Sequence, residues 1–116
     1  MTHTLLLEDL RKLLTISWSI KTSSLWLQDN PARGQCSVTA LVVQDILGGG
    51  VLKTRTDGGW HFYNLIDGQR LDLTDSQFVE PLHYEDRKAS RDEAFADTSP
   101  EQYELLRATV LRQRER

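Results

Sequence analysis

A thiol, an imidazole and a carboxylate stand at positions 36, 61 and 72 of this chain. Cys36 is the only cysteine, placed between a turn made by Asn30, Pro31 and Gly34 and an apolar run. That run, Val38, Ala40, Leu41, Val42, Val43, Ile46 and Leu47, predicts a helix over 36–47. The thiol then lies at or just before a helix N-terminus, where unpaired N–H groups and the helix dipole favour the thiolate. A thiolate nucleophile needs a base in reach, and the base needs an orienting partner. His61 and Asp72 are those residue types, on two consecutive predicted strands. A two-residue turn at Asp67-Gly68 pairs Ile66 with Gln69, Tyr63 with Asp72 and His61 with Thr74. Side chains alternate along a strand, so His61, Tyr63 and Asp72 share a face, with His61 and Asp72 as diagonal neighbours. A turn one residue longer would send Asp72 to the opposite face.

Each of these residues also has an ordinary reading. A free cysteine is commonly a small buried hydrophobe. His61 reads equally as a satisfied histidine of an aromatic strand, and Asp72 as a surface acid of an edge strand. Asp67 is a turn residue, and Asp75 caps the segment after the third strand. His3, near a terminus, and His83, beyond the sheet, are weaker candidates. Cys36, His61 and Asp72 are all acceptable zinc ligands, but no paired spacing such as Cys-x-x-Cys accompanies them. No cofactor or metal is called for.

The elements that must position these residues emerge from periodicity. Residues 4–18 form a helix with Leu6, Leu10, Leu13, Leu14 and Ser17 on one face and Glu8, Asp9, Arg11 and Lys12 largely opposite. Ile16, Trp18 and Ile20 carry its end into the core. Residues 19–34 are a long irregular segment, of the length that is usually functional or poorly ordered. Trp26 within it is a plug over the core or the wall of a cleft. The Cys36 helix is apolar nearly all round, which marks it as central and buried, and Gly48, Gly49 and Gly50 end it. Strands are expected at 51–56, 60–66 and 69–74, joined at Asp57-Gly58-Gly59 and Asp67-Gly68. Phe78, Val79, Pro81, Leu82 and Tyr84 cross the core edge. Ala94 and Phe95 anchor a short helix. Ser99, Pro100 and Gln102 open the last helix with a capping box, and Tyr103, Leu105, Leu106, Val110 and Leu111 form its apolar face. The expected fold is α+β: a small antiparallel β-meander packed on a central helix that begins at the cysteine, flanked by N- and C-terminal helices.

With 116 residues, 39% hydrophobic and 27% charged, the chain suits one soluble domain over 1–116. A net charge of −3, with aromatics not interleaved with Lys or Arg, gives no support to nucleic-acid binding. No apolar stretch approaches membrane-spanning length, and the start has no signal-peptide pattern. The basic cluster from Arg107 to Arg116 fits a helix end. A lone cysteine rules out an internal disulfide and fits a reducing cytoplasm.

The runs Trp18-Ser19, Thr22-Ser23, Asn30-Pro31, Gly34 to Asp45, Gly48-Gly49, Trp60 to Asn64, Asp67-Gly68, Asp72 to Thr74 and Gln77-Phe78 resemble the YunG family of small bacterial proteins. The likeness covers about Leu13 to Leu82, and more weakly the tail through Tyr103, Leu106 and Val110. The order Cys, His, Asp is also similar to the core shared by transglutaminases, arylamine acetyltransferases and papain-like proteases. That resemblance implies Cys36 as nucleophile, His61 as general base and Asp72 as orienter. The Cys36 N–H with a side chain from Gln28, Asn30 or Gln35 would hold an oxyanion. Papain-like enzymes carry their glutamine several residues before the cysteine, so Gln35 departs from that pattern. The chain is also much smaller than those enzymes, so substrate-binding elements are absent or supplied by a protein partner or a second copy.

The expected function is acyl transfer or hydrolysis on an amide or ester of a small molecule or peptide, with Trp26, Trp60 and Tyr63 as cleft walls. The alternative is a non-catalytic module that keeps this scaffold to bind a peptide or small ligand.

Overall fold

Apolar periodicity and glycine breaks divide the chain into four α-helices and four strands in the computed structural model, which describes residues 3–115, with side chains from Leu7 onward. The side chains of His3 and Leu6, and Arg116 altogether, all singled out above, lie outside what is described. The order is α1 (His3–Ser17), α2 (Cys36–Leu47), β1 (Gly50–Thr56), β2 (Gly59–Ile66), β3 (Gln69–Leu71), β4 (Arg87–Ala89), α3 (Arg91–Phe95) and α4 (Pro100–Arg114), with a short 3-10 turn at Asp75–Gln77. The strands make one antiparallel sheet in the order β3-β2-β1-β4.

α2 is the centre. Every residue from Cys36 to Val43 is buried, as expected of a helix apolar on all sides. One side packs Val38 and Val42 against Leu10 and Leu14 of α1 and Leu106 and Val110 of α4. The other side packs Ala40 and Leu41 against Val51 and Phe62 of the sheet and Ala94 of α3. Asn64, two residues along from Phe62, donates from Nδ2 to the Ala40 carbonyl at 3.0 Å, so this face of β2 is fixed against the helix. Trp18 ties α1 to α2 by donating from its indole to Thr39 Oγ1 at 2.9 Å.

Several expectations are corrected. Trp18 is buried, but Ile16 and Ile20 are exposed, because α1 ends at Ser17 and the chain turns back through Thr22 to Ser19. Val79 is fully exposed, and Pro81 also faces outward, so the segment after Phe78 crosses no core edge there. The third strand stops at Leu71 instead of Thr74. Asp72 Oδ1 accepts from the Thr74 N–H at 3.1 Å and from Thr74 Oγ1 at 3.2 Å. Such a side-chain turn competes with the ladder and closes the strand. β4 has no counterpart among the expected strands: Arg87-Lys88-Ala89 carries no apolar alternation, yet pairs with Val51–Lys53 at the sheet edge. Before α4, Ser99 accepts from the Gln102 N–H at 3.1 Å, but the Gln102 side chain accepts from Thr98 instead of closing the box. The complete capping box is at α3, between Ser90 and Glu93.

Candidate functional site

The β2–β3 register is the expected one as far as it runs, with Ile66 opposite Gln69 and Asn64 opposite Leu71. Beyond Leu71 no strand of the described residues flanks His61 on that side, and the chain turns so that the Asp72 carboxylate meets the imidazole. Asp72 Oδ2 accepts from His61 Nε2 at 2.7 Å. The same oxygen accepts from the Tyr84 hydroxyl at 2.8 Å. With the two bonds from Thr74, this buried carboxylate has four donors, which answers the cost of burying its charge.

His61 is 1% exposed. It stacks on Tyr63 with ring centroids 5.7 Å apart and takes Phe78 edge-on at 4.9 Å. Its other nitrogen, Nδ1, is buried and without a hydrogen-bond partner. Cys36, 9% exposed at the first turn of α2, is near enough to act on the ring. Burial alone would lower the imidazole's pKa. The hydrogen bond to Asp72, the thiol of Cys36 and the charges of both outweigh it and raise His61 from 6.5 to about 9. Burial pushes the Asp72 carboxyl up, but the bond from His61, its positive charge, Tyr84 and the Thr74 N–H together hold it below its usual value. Burial and the neighbouring carboxylate push the Tyr84 phenol up, so it remains a donor.

Cys36 and His61 line one open cleft of about 1000 Å³, with Gly34, Trp60, Phe62, Gln77 and Phe78 among its walls. Of the remaining candidates, Trp60 is in this wall and the others are not. Trp26 packs on the α1–α2–α4 core, so it is the plug of the two readings offered. Tyr63 is 1% exposed, and its hydroxyl donates to Asp86 Oδ1 at 2.9 Å, so it supports His61 from beneath. Gln35 is wholly buried: Oε1 accepts from Thr22 Oγ1 at 2.8 Å and Nε2 donates to the Ser19 carbonyl. Asn30 donates to the Gln77 carbonyl at 3.2 Å, and Gln28 is exposed outside the cleft wall. None of these three amides faces the cleft. The α2 N-terminus itself carries no side-chain cap, which leaves its first N–H groups open. His83 is exposed, and its carbonyl accepts from Thr54.

Sequence reasoning misses Tyr84, Thr74, Gln77 and Phe78 as partners of the site. Thr74 and Gln77-Phe78 carry a signal, as runs shared with a known family, and Tyr84 carries none. The imidazole binds the carboxylate through Nε2 and leaves Nδ1 without a partner. Among the described residues, no three His, Cys, Asp or Glu side chains are grouped to hold a metal ion. No helix among them is long and apolar enough to cross a membrane.

A family model described as "YunG protein" matches residues 6–115. The "Uncharacterized protein YunG" of Bacillus subtilis (strain 168) is 48% identical over 106 residues, spanning 91% of this chain and 92% of that protein. No solved structure matches the chain. A match of this length and identity, running through the cysteine helix and both strands of the His61–Asp72 hairpin, means that the chain belongs to the YunG family.

Proposed function

We propose that this protein is a thiol-dependent acyl-transfer or hydrolase domain. The observation that carries the reading is the buried, unpartnered Nδ1 of His61 on a ring whose Nε2 is bound to Asp72 and whose neighbour is Cys36. Leaving a buried polar atom unpaired costs about 1–3 kcal/mol, and such atoms persist where a working site needs them. The order of the three residues resembles the transglutaminase-like and papain-like cores and supports the same chemistry.

In the proposed reaction the Cys36 sulfur attacks the carbonyl carbon of an amide or ester as a thiolate, balanced by the His61 imidazolium. The carbonyl electron pair moves to oxygen, where open N–H groups of the first α2 turn stabilise it. The pair returns, the bond to the leaving amine or alkoxide breaks, and Nδ1–H of His61 delivers the proton to that group. A thioester on Cys36 remains. Water or an amine then attacks it, neutral Nδ1 takes the incoming proton, and the thiolate leaves. Asp72 holds the ring orientation and stabilises the imidazolium throughout.

Iodoacetamide labelling followed by mass spectrometry tests this across a pH series. Cys36 is expected to alkylate about tenfold faster than glutathione at pH 6, and His61→Asn to abolish that advantage. Labelling at pH 6 no faster than glutathione sinks the reading. The near-complete burial of both Cys36 and His61 favours a second reading, a binding module that has kept the scaffold. There, ligand binding survives Cys36→Ala; in the enzyme, turnover of ester and amide substrates does not.

A further inference from the structure

The cleft wall includes one residue whose side chain joins the cysteine side of the site to the carboxylate side. Gln77 closes the 3-10 turn that comes after Asp72. Its Oε1 accepts from the Gly34 N–H at 3.3 Å, two residues before Cys36. Its Nε2 donates to the Thr74 carbonyl at 3.0 Å, and Thr74 in turn donates to Asp72. The Gln77 carbonyl accepts from Asn30 Nδ2, adding a second strut to the same loop. The next residue, Phe78, meets the His61 ring edge-on. One short turn thus touches all three site residues: Cys36 through Gly34, Asp72 through Thr74, and His61 through Phe78.

Gly34 has little slack in this arrangement. Its φ is +75°, and a Cβ there would sit 2.5 Å from Ser23 Oγ and 2.6 Å from Leu25 Cβ. The loop entering α2 is therefore held on one side by its own packing and on the other by Gln77. After Phe78, Val79 faces solvent entirely, and the chain returns to the site at Tyr84, which donates to Asp72 Oδ2.

We propose that Gln77 is a positioning residue that sets the alignment of Cys36 with His61, by hydrogen-bonding the loop before the cysteine to the turn after Asp72. The proposal rests on the reading of Cys36, His61 and Asp72 as a thiol site. A misplacement on the order of 1 Å in such a pair can cost about a hundredfold in rate.

Gln77→Met keeps the side chain's length and removes both hydrogen bonds. It is expected to lower the iodoacetamide rate constant of Cys36 at pH 6 about tenfold, with much less effect at pH 9.5, where ordinary thiols also react. Circular dichroism and melting temperature establish that the variant is folded. Asn30→Ala removes the other strut and is expected to move the profile in the same direction, by less. It serves as the second test if the Gln77 variant fails to fold. A purely structural glutamine would change the melting temperature and leave the pH profile of folded protein unaltered. If folded Gln77→Met, or Asn30→Ala in its place, reproduces the native profile, the clamp is wrong while the thiol site stands. If the native protein itself shows no enhanced labelling at pH 6, both are wrong.

Discussion

Asp72 illustrates how one carboxylate decides local structure and chemistry together. Its Oδ1 ends β3 by binding Thr74, and its Oδ2 holds His61 and Tyr84. Tyr84 has no sequence signal for this role, because it lies twelve positions after Asp72, across mostly irregular chain. Arg70 lies over the Tyr84 ring at 4.1 Å and forks onto Asp86, which also accepts from Tyr63. The phenol is thus held from both sides. Tyr84→Phe keeps the ring and removes one donor to a buried charge. It is expected to destabilise the fold by about 1.5–3 kcal/mol in urea unfolding. An unchanged midpoint would mean that water takes the donor's place and the bond contributes nothing net.

The elements are legible where pattern and physics agree. α2 is visible from its continuous apolar run, and the 66–69 register from Asp67-Gly68, where Asp67 takes the left-handed φ of 52° that such turns demand. The end of β3 is not legible, because Asp72-Leu73-Thr74 continues a strand pattern and only the Asp72–Thr74 side-chain turn overrides it. β4 is hidden by its charges, which suit an edge strand exposed to solvent. In the site, the residue types and the His61–Asp72 contact are legible. The amides are not: Gln35, beside the cysteine in sequence, turns inward to bind Thr22 and Ser19, and nothing in residue order reveals that. The α2–β1 joint gives a sharper test at this scale. Gly49 has φ +74°, and a Cβ there would lie 2.2 Å from the Leu65 carbonyl oxygen. Gly48 has φ +78° but open space around it. Gly49→Ala is expected to lower the melting temperature clearly more than Gly48→Ala, which bears backbone strain of about 1–3 kcal/mol alone. Equal effects would show that the sheet end yields freely.

For the molecule as a whole, the buried pair makes stability depend on pH. His61 is raised from 6.5 to about 9, so the folded state binds its proton more tightly than the unfolded chain does. That stabilisation is fully present below about pH 6.5 and is lost as pH climbs through 9, amounting to about 3 kcal/mol at most. Asp72 has the opposite sign: its contribution is present above its ordinary value of 3.8 and is lost as pH falls through the lowered folded value. Stability is expected to be highest between about pH 4.5 and 6.5, and to fall towards pH 10 in thermal melts. In Asp72→Asn the alkaline decline should largely vanish. A melting temperature that is flat from pH 6 to 10 in the native protein contradicts the coupling.

The sulfur comes from the first half of the chain, and its imidazole and carboxylate come from a hairpin that must dock against α2 from the second. During synthesis Cys36 emerges well before His61 and Asp72. A ribosome-bound fragment ending before Asp75 would hold the cysteine without the 3-10 turn whose Gln77 bonds the Gly34 N–H. Long-range closure of this kind is slow, so under the proposed thiol chemistry the nascent polypeptide is expected to stay chemically quiet until its topology is complete.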